Sequence, residues 1–557
     1  MDGSSLAGAA SLAGAARAEP AVTSVPRWLP GERTAIFSPA GVLACAHRFR
    51  EPVHIVRLRA GYEPGLGAGG RIVPAGPGAD GAGFELFGWL PALYPEWLGD
   101  RSFNLTHGVR FPYVAGEMAN GIATVASVVA MARARMLGFF GAAGLALPVI
   151  ERAVGELSRA LPGLDNWGVN LIHTPAEPGH EERLVDLLVR AAVPKVSASA
   201  YMELNPAVVR CAVAGLRREA NGEVVRARHL FAKVSRPEVA ARFLSPAPPE
   251  ILRGLVERGQ ITRDEADLAA TVPLAEDVTV EADSGGHTDN RPLAVVLPAV
   301  RALRDELVRR HGYTRPVRVG AAGGLGDPAG IAAAFAAGAA YVVTGTINQL
   351  SSEAGLSEAA KGLLAEADLA DVAMAPAADM FEYGIKVQVL RRGTLFAARA
   401  GQLYQIYLAH QSLEDIPGPL RERVEKDILR GTFEECWVRT RQFWTERDPR
   451  EADRADRDPR HRMALVFRSY LGLSSRWAIT GDPARRTDYQ IWCGPAIGAF
   501  NRWVAGSPLA EPARRTVVQI ALNLLEGAAV VTRAHQLRSY GVAVPGEAFA
   551  PRPRLLS

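Results

Sequence analysis

Cysteine is scarce: Cys45, Cys211, Cys436 and Cys493 are the only four in 557 residues. They stand far apart, in no spacing that would hold zinc. They read as reduced, buried thiols of a cytoplasmic chain, and no metal site is expected. An excess of one charge is also missing. Sixty-three Lys and Arg face 59 Asp and Glu, a net charge of +4. No Lys/Arg stripe with interleaved aromatics occurs, which argues against nucleic acid as a partner. No basic segment precedes the apolar residues of MDGSSLAGAASLAGAARAEP, which argues against a secretory signal. Residues 1–20, with LAGAA written twice, read as a disordered tail. A uniform apolar run of membrane length is lacking too. Pro328 to Ser352 is uncharged and long enough. However, Gly330, Gly338 and Gly345 interrupt it, and it ends in Thr-Ile-Asn-Gln. A buried helix followed by a buried strand is expected there, and no membrane contact.

What is present is globular: 48% apolar and 22% charged residues, in a chain long enough for two or three domains. Residues 21–104 are rich in Pro, Gly and Trp and read as a small, irregular N-terminal domain. From residue 105 the texture changes. Eight short apolar runs follow: VRFPYVAGEM (109–118), MLGFFGAAG (136–144), WGVNLIH (167–173), KVSASAYM (195–202), HLFAKVS (229–235), DVTVEAD (277–283), VRVGAAGG (317–324) and AYVVTGT (340–346). Helical patterns such as LPVIERAVGELSRAL and HEERLVDLLVRAA lie between them, and Thr262 to Glu265 has the form of a capping box. Strand–helix alternation implies parallel pairing through right-handed crossovers. Eight such units over residues 105–355 match a closed (β/α)8 barrel, an α/β fold. The dinucleotide fingerprint GxGxxG is absent after the first run, which disfavours an open doubly wound sheet. Residues 356–557 lose the alternation and read as a helical domain, whose last apolar segment, 516–534, could pack on the barrel.

Barrels of this kind work at the C-terminal ends of their strands. Small and polar residues gather there: Gly116, Glu117 and Met118 after the first run, Asn170 on the third, and Lys233 on the fifth. Asp283-Ser284-Gly285-Gly286-His287 follows the sixth, Gly323-Gly324 the seventh, and Gly345-Thr346 the eighth. Glycine turns after the last two strands place backbone N–H groups where barrels bind phosphate. Together with the bare Gly285-Gly286 backbone they suggest flavin mononucleotide (FMN). Asn170 would meet the polar edge of the flavin, and Lys233 its negative N1/O2 edge or ribityl chain. The alternative for Lys233 is an ion pair with Glu281 or Asp283. His287 is the candidate catalytic group. Nothing in the sequence assigns Glu117 a role.

The strings GEMANGIAT, GVNLIH, FAKVSRPEVA, VEADSGGHTD, GAAGGLGDP and GAAYVVTGT resemble the flavin barrels of the nitronate monooxygenase and FabK-type enoyl reductase superfamily. WLPGERTAIFSPAGVLACAH, MAPAADMFEYGIKVQVLRRGTLFAARAGQLYQIY, MALVFRSYLG and DYQIWCGPAIGAFNRW are similar to the PfaD-type enoyl reductases. Those proteins act in trans on polyketide and polyunsaturated fatty acid synthases. The resemblance implies an FMN enzyme that uses NADPH to reduce enoyl thioesters on acyl carrier protein, with His287 near the flavin. Two rival readings remain: a nitronate monooxygenase using oxygen, and a non-catalytic scaffold docked on a synthase. Arg391, Arg392, Arg485 and Arg486 are candidates for attracting an acidic carrier protein. The oligomeric state, with a homodimer among the options, is left open.

Overall fold

The computed structural model describes residues 25–58, 63–74, 83–175, 177–286 and 288–556. The expected tail at 1–20 lies outside them, and so does His287. The chain divides into two compact units: Met1–Leu93 with Arg533–Ala548, and Tyr94–Thr532 with Phe549–Ser557.

The first unit is more regular than its composition suggests. β1 (Arg27–Leu29), β2 (Val53–Arg57), β3 (Pro64–Ala68), β4 (Arg71–Val73) and β5 (Phe84–Leu90) form one antiparallel sheet in the order β3-β2-β5-β1-β4. Its core is built around Trp28, which has no exposed surface. Gly67 passes so close to the indole that a Cβ there would lie 2.6 Å from a ring carbon.

The second unit holds the barrel. Its strands are β6 (Tyr113–Ala115), β7 (Leu137–Phe140), β8 (Trp167–Ile172), β9 (Lys195–Ser199), β12 (His229–Val234), β13 (Asp277–Glu281), β14 (Arg318–Ala322) and β15 (Val342–Thr344). Each falls inside one of the eight runs read from the sequence. All pair in parallel, and β15 closes on β6 through Val342 and Tyr113. The runs were legible because parallel strands buried on both faces are continuously apolar. The uncharged stretch at 328–352 is the helix Pro328–Ala336 followed by β15. Thr262 and Glu265 form the full capping box at the start of Arg263–Ala269. A short hairpin, β10 (Arg217–Arg218) and β11 (Val224–Val225), interrupts the alternation.

The helix Arg101–His107 plugs the N-terminal end of the barrel. Phe103 stacks on Tyr341 with centroids 4.4 Å apart. Beneath them lies a buried ionic cluster at the first residues of three strands. Arg318 donates from Nε to Asp277 Oδ1 at 2.6 Å and from Nη2 to Oδ2 at 2.8 Å. His107 Nε2 lies 3.0 Å from Asp277 Oδ2. His107, His229 and Asp277 place ligand atoms within 4.8 Å of one another. Arg318 already engages both Asp277 oxygens, so the cluster is a charge-balanced plug and not a cation site. Burial pulls His107 and His229 below the usual histidine value. Asp277 would be raised by burial, but Arg318 and His107 hold it far below the carboxylate range.

Beyond residue 356 the chain is mostly helical, with one departure from the all-helical expectation. β16 (Val372–Pro376) and β17 (Lys386–Leu390) form an antiparallel hairpin. After it the chain builds a second core from the helices Phe396–Ala409, Phe433–Arg447, Pro449–Ala455 and Pro459–Thr480, packed around Phe381, Phe396, Phe433, Phe467 and Tyr470. It then returns to its starting point: Leu390 N donates to Ile491 O at 2.8 Å, and Cys493 N to Gln388 O at 3.3 Å. The helix Val517–Ser539 is long and apolar enough to cross a membrane by length and composition, and 72% of its apolar window is buried inside the fold. Its Gly527 lies against Pro328 of the barrel helix. All four cysteines are free and buried. Burial raises the thiols of Cys211 and Cys493 to about 11 and about 12.

Candidate active site

A cavity of about 1520 Å³ opens at the C-terminal ends of the strands. Its floor contains every described residue expected there: Gly116, Met118, Asn170, Lys233, Asp283, Ser284, Gly285, Gly286, Gly323, Gly324, Gly345 and Thr346. His287, the expected catalytic residue, directly follows this set but lies outside the described residues.

The glycines have different reasons to be glycine. A Cβ on Gly285 would lie 2.9 Å from Cys493 N, because the returning segment crosses it. The close approach at Gly285 is therefore made by the chain's own backbone. A Cβ on Gly116 would meet Val343 at 2.8 Å, and one on Gly323 would meet Ala282 at 2.8 Å. At Gly324 and Gly345 a Cβ would meet no atom of the described residues within 4 Å. These two loops, after β14 and β15, leave an open cradle where backbone N–H groups can reach a phosphate. Gln349 lines the same wall. Its Nε2 donates to Trp492 O at 2.6 Å, while its Oε1 is buried without a hydrogen-bond partner among the described residues. The donor set and the space fit a phosphorylated cofactor.

Lys233 sits between two carboxylates. Its Nζ lies 3.1 Å from Glu281 Oε2 and 3.2 Å from Glu117 Oε1. The sequence pattern offered Glu281 or Asp283 as partners and gave Glu117 no role. The structure pairs Lys233 with Glu281 and Glu117, while Asp283 takes a hydrogen bond from Gln388. Burial alone would lower the ammonium's pKa, and Glu117 and Glu281 raise it above the ordinary lysine value, so it stays charged. Glu117 also accepts from Ser197 Oγ at 2.9 Å, and Glu281 from Ser284 Oγ at 3.0 Å. The ends of β6, β9, β12 and β13 are thereby tied together. The described residues use two of the three Lys233 protons. Asn170 donates through Nδ2 to Ser197 O at 3.2 Å and Ser199 Oγ at 3.1 Å. Its oxygen is left as an acceptor.

Sequence reasoning missed two parts of the site. One is a buried knot around Glu181, which accepts from Asn205 at 2.8 Å and from Tyr201, with His173 Nδ1 at 3.2 Å. These bonds outweigh burial and keep Glu181 below its usual value. The other is the roof. Trp444, Tyr470 and Trp477 from the helical core line the cavity, with arginines among them. No local pattern marks residues so distant in sequence as cavity walls. Of the expected docking arginines, Arg485 is not a surface group. Its side chain is 14% exposed, lies 3.3 Å from Asp488, and donates to Ile428 O and Leu429 O. Arg392 is half exposed, 3.5 Å from Asp371.

Two families match parts of the chain: nitronate monooxygenase over residues 265–413, and the inserted helical domain of [acyl-carrier-protein] S-malonyltransferase over residues 410–489. The crystal structure of the enoyl reductase domain of MlnA, from the macrolactin biosynthesis cluster of Bacillus amyloliquefaciens, is 36% identical. It covers 80% of this chain and 99% of that one, with a TM-score of 0.76. A polyunsaturated fatty acid synthase subunit of Thraustochytrium sp. is 46% identical over 79% of this chain and 30% of its own length. The polyketide biosynthesis protein PksE of Bacillus subtilis is 41% identical over 80% and 58%. The chain thus spans less than two thirds of the length of these curated relatives.

Proposed function

Since this chain belongs to the PfaD-type enoyl reductases of polyketide and polyunsaturated fatty acid synthases, we propose that it is an FMN-dependent reductase of enoyl thioesters held on acyl carrier protein. One observation carries the reading. A single cavity joins the open glycine loops at Gly324 and Gly345 to a charged Lys233 and a buried Asn170. Bound FMN would relay hydride from NADPH to the β-carbon of the enoyl chain. Gly324 and Gly345 would hold the phosphate through backbone N–H groups. Asn170 would accept a hydrogen bond at the polar edge of the ring, and Lys233 would donate its third proton near the same edge. Glu117 and Glu281 fix the ammonium in place and keep its charge balanced before any ligand arrives. His287 is proposed, on its place in the sequence, as the donor that stabilises the thioester oxygen or delivers the α-proton. The aromatic roof would exclude water from the reacting chain.

The test is anaerobic stopped-flow with FMN-loaded protein. Bleaching of the flavin band by NADPH, and its return with an enoyl-carrier substrate, are expected. The match of residues 265–413 to nitronate monooxygenase favours a second reading. Oxygen uptake with a nitroalkane, with no bleaching by NADPH, would select it.

A further inference from the structure

Among the described residues, six arginines line the cavity: Arg430, Arg439, Arg447, Arg468, Arg476 and Arg485. Four meet a carboxylate. Arg430 lies 3.6 Å and Arg485 3.3 Å from Asp488, Arg447 lies 2.8 Å from Glu177, and Arg468 lies 3.1 Å from Glu382. Arg439 and Arg476 have no carboxylate at salt-bridge distance among the described residues. Arg439 donates to the Cys436 sulfur at 3.3 Å. Among the cavity's acids, Glu117 and Glu281 hold Lys233, Glu177 holds Arg447, Glu181 sits in its own knot, Asp283 takes a hydrogen bond from Gln388, and Asp482 accepts from Ala484 N.

These two guanidinium groups rise from the packed helices Phe433–Arg447 and Pro459–Thr480 of the roof. Apolar side chains stand beside each on its helix. Phe443, one turn from Arg439, is 50% exposed, and Leu473, one turn before Arg476, is 42% exposed. Two arginines with no carboxylate partner among the described residues, beside open apolar surface, suit a ligand with a phosphate at one end and an uncharged arm at the other.

We propose that Arg439 and Arg476 form a phosphate-ester subsite in the helical roof of the cavity, separate from the loops at Gly324 and Gly345. The proposal rests on the reductase reading, which supplies two ligands of this chemistry. One is the phosphodiester that joins a carrier protein to its pantetheine arm. The other is the phosphate of the nicotinamide nucleotide. The arm is the better fit, because its amide and thioester chain would run from the roof toward the barrel floor.

The experiment compares the FMN-loaded full chain with Arg439→Gln/Arg476→Gln by calorimetry, using 4′-phosphopantetheine and pantetheine as probes. Wild type is expected to prefer the phosphorylated probe about tenfold or more, one to two charge-assisted hydrogen bonds. The variant should bind both probes alike and retain FMN. NADPH and NADH form the second arm. If the variant loses its preference between them and keeps the phosphopantetheine preference, the subsite belongs to the reductant. If neither preference changes in a protein that still binds FMN, the subsite does not exist. Binding does not depend on turnover, so failure of the reductase reading appears separately, as wild-type protein that NADPH does not bleach.

Discussion

Gly345→Ala isolates ligand binding from folding. The added methyl group meets no atom of the described residues within 4 Å, and Gly345 already has a negative φ of −125°. The apoprotein should therefore unfold within about 1 kcal/mol of wild type. If a phosphate sits in the cradle after β15, the methyl group stands in its path and one charge-assisted N–H bond is lost. That bond is worth ~1.5–3 kcal/mol, a rise in the FMN dissociation constant of about 10- to 150-fold. Quenching of FMN fluorescence on titration gives the constant, and denaturant melts of apoprotein give the stability. Gly285→Ala is the internal contrast. Its Cβ would press on Cys493 N at 2.9 Å, so stability should fall by ~1–3 kcal/mol. An unchanged FMN affinity in Gly345→Ala would refute the cradle.

His287→Ala should keep FMN affinity and bleaching by NADPH while losing ~10²–10⁴-fold in the enoyl half-reaction; full enoyl turnover in single-mixing kinetics would remove His287 from the chemistry. Asp277→Asn strips the buried Arg318 of its counter-charge and should cost ~3–5 kcal/mol at pH 7. The folded carboxylate titrates far below its unfolded value of 3.8, so its contribution is complete above that value and declines progressively as pH falls from there toward the much lower folded value. Urea melts should therefore show the gap between wild type and variant closing below about pH 4. Wild type itself should begin to weaken below 6.5, where unfolded His107 and His229 gain protons that the folded plug excludes.

The barrel was legible because each strand is an apolar run ending in glycine or a polar residue, and helices separate the runs. The hairpin β16–β17 was not. Its first strand ends in Pro376, its exposed Met374 breaks the alternation, and no Asn-Gly or Asp-Gly pair marks the turn. The first unit's sheet was hidden in strands such as PGLGA, where Gly67 makes room for Trp28 and Gly65 for Phe37. At the site, residue types at strand ends identified the cavity floor. Their partners depended on folding. Glu117 comes to Lys233 from a different strand end, and Gly285 is small for a segment more than two hundred residues away. The roof residues became neighbours of the cavity only through helix packing.

The clasp at the base of the helical region has an evolutionary consequence. Leu390 and Ile491 are joined by one hydrogen bond, with Val389 bridged to Trp492. Everything from Arg391 to Gln490 thus departs from and rejoins the body at one place. Such a segment can be spliced in or exchanged without rethreading the host, because its two junctions already touch. Related chains could trade this lobe as a cassette, keeping the barrel chemistry while changing what the mouth admits. A chimera carrying a relative's residues 391–490 should fold with the host's barrel and take on the donor's choice of acyl chain.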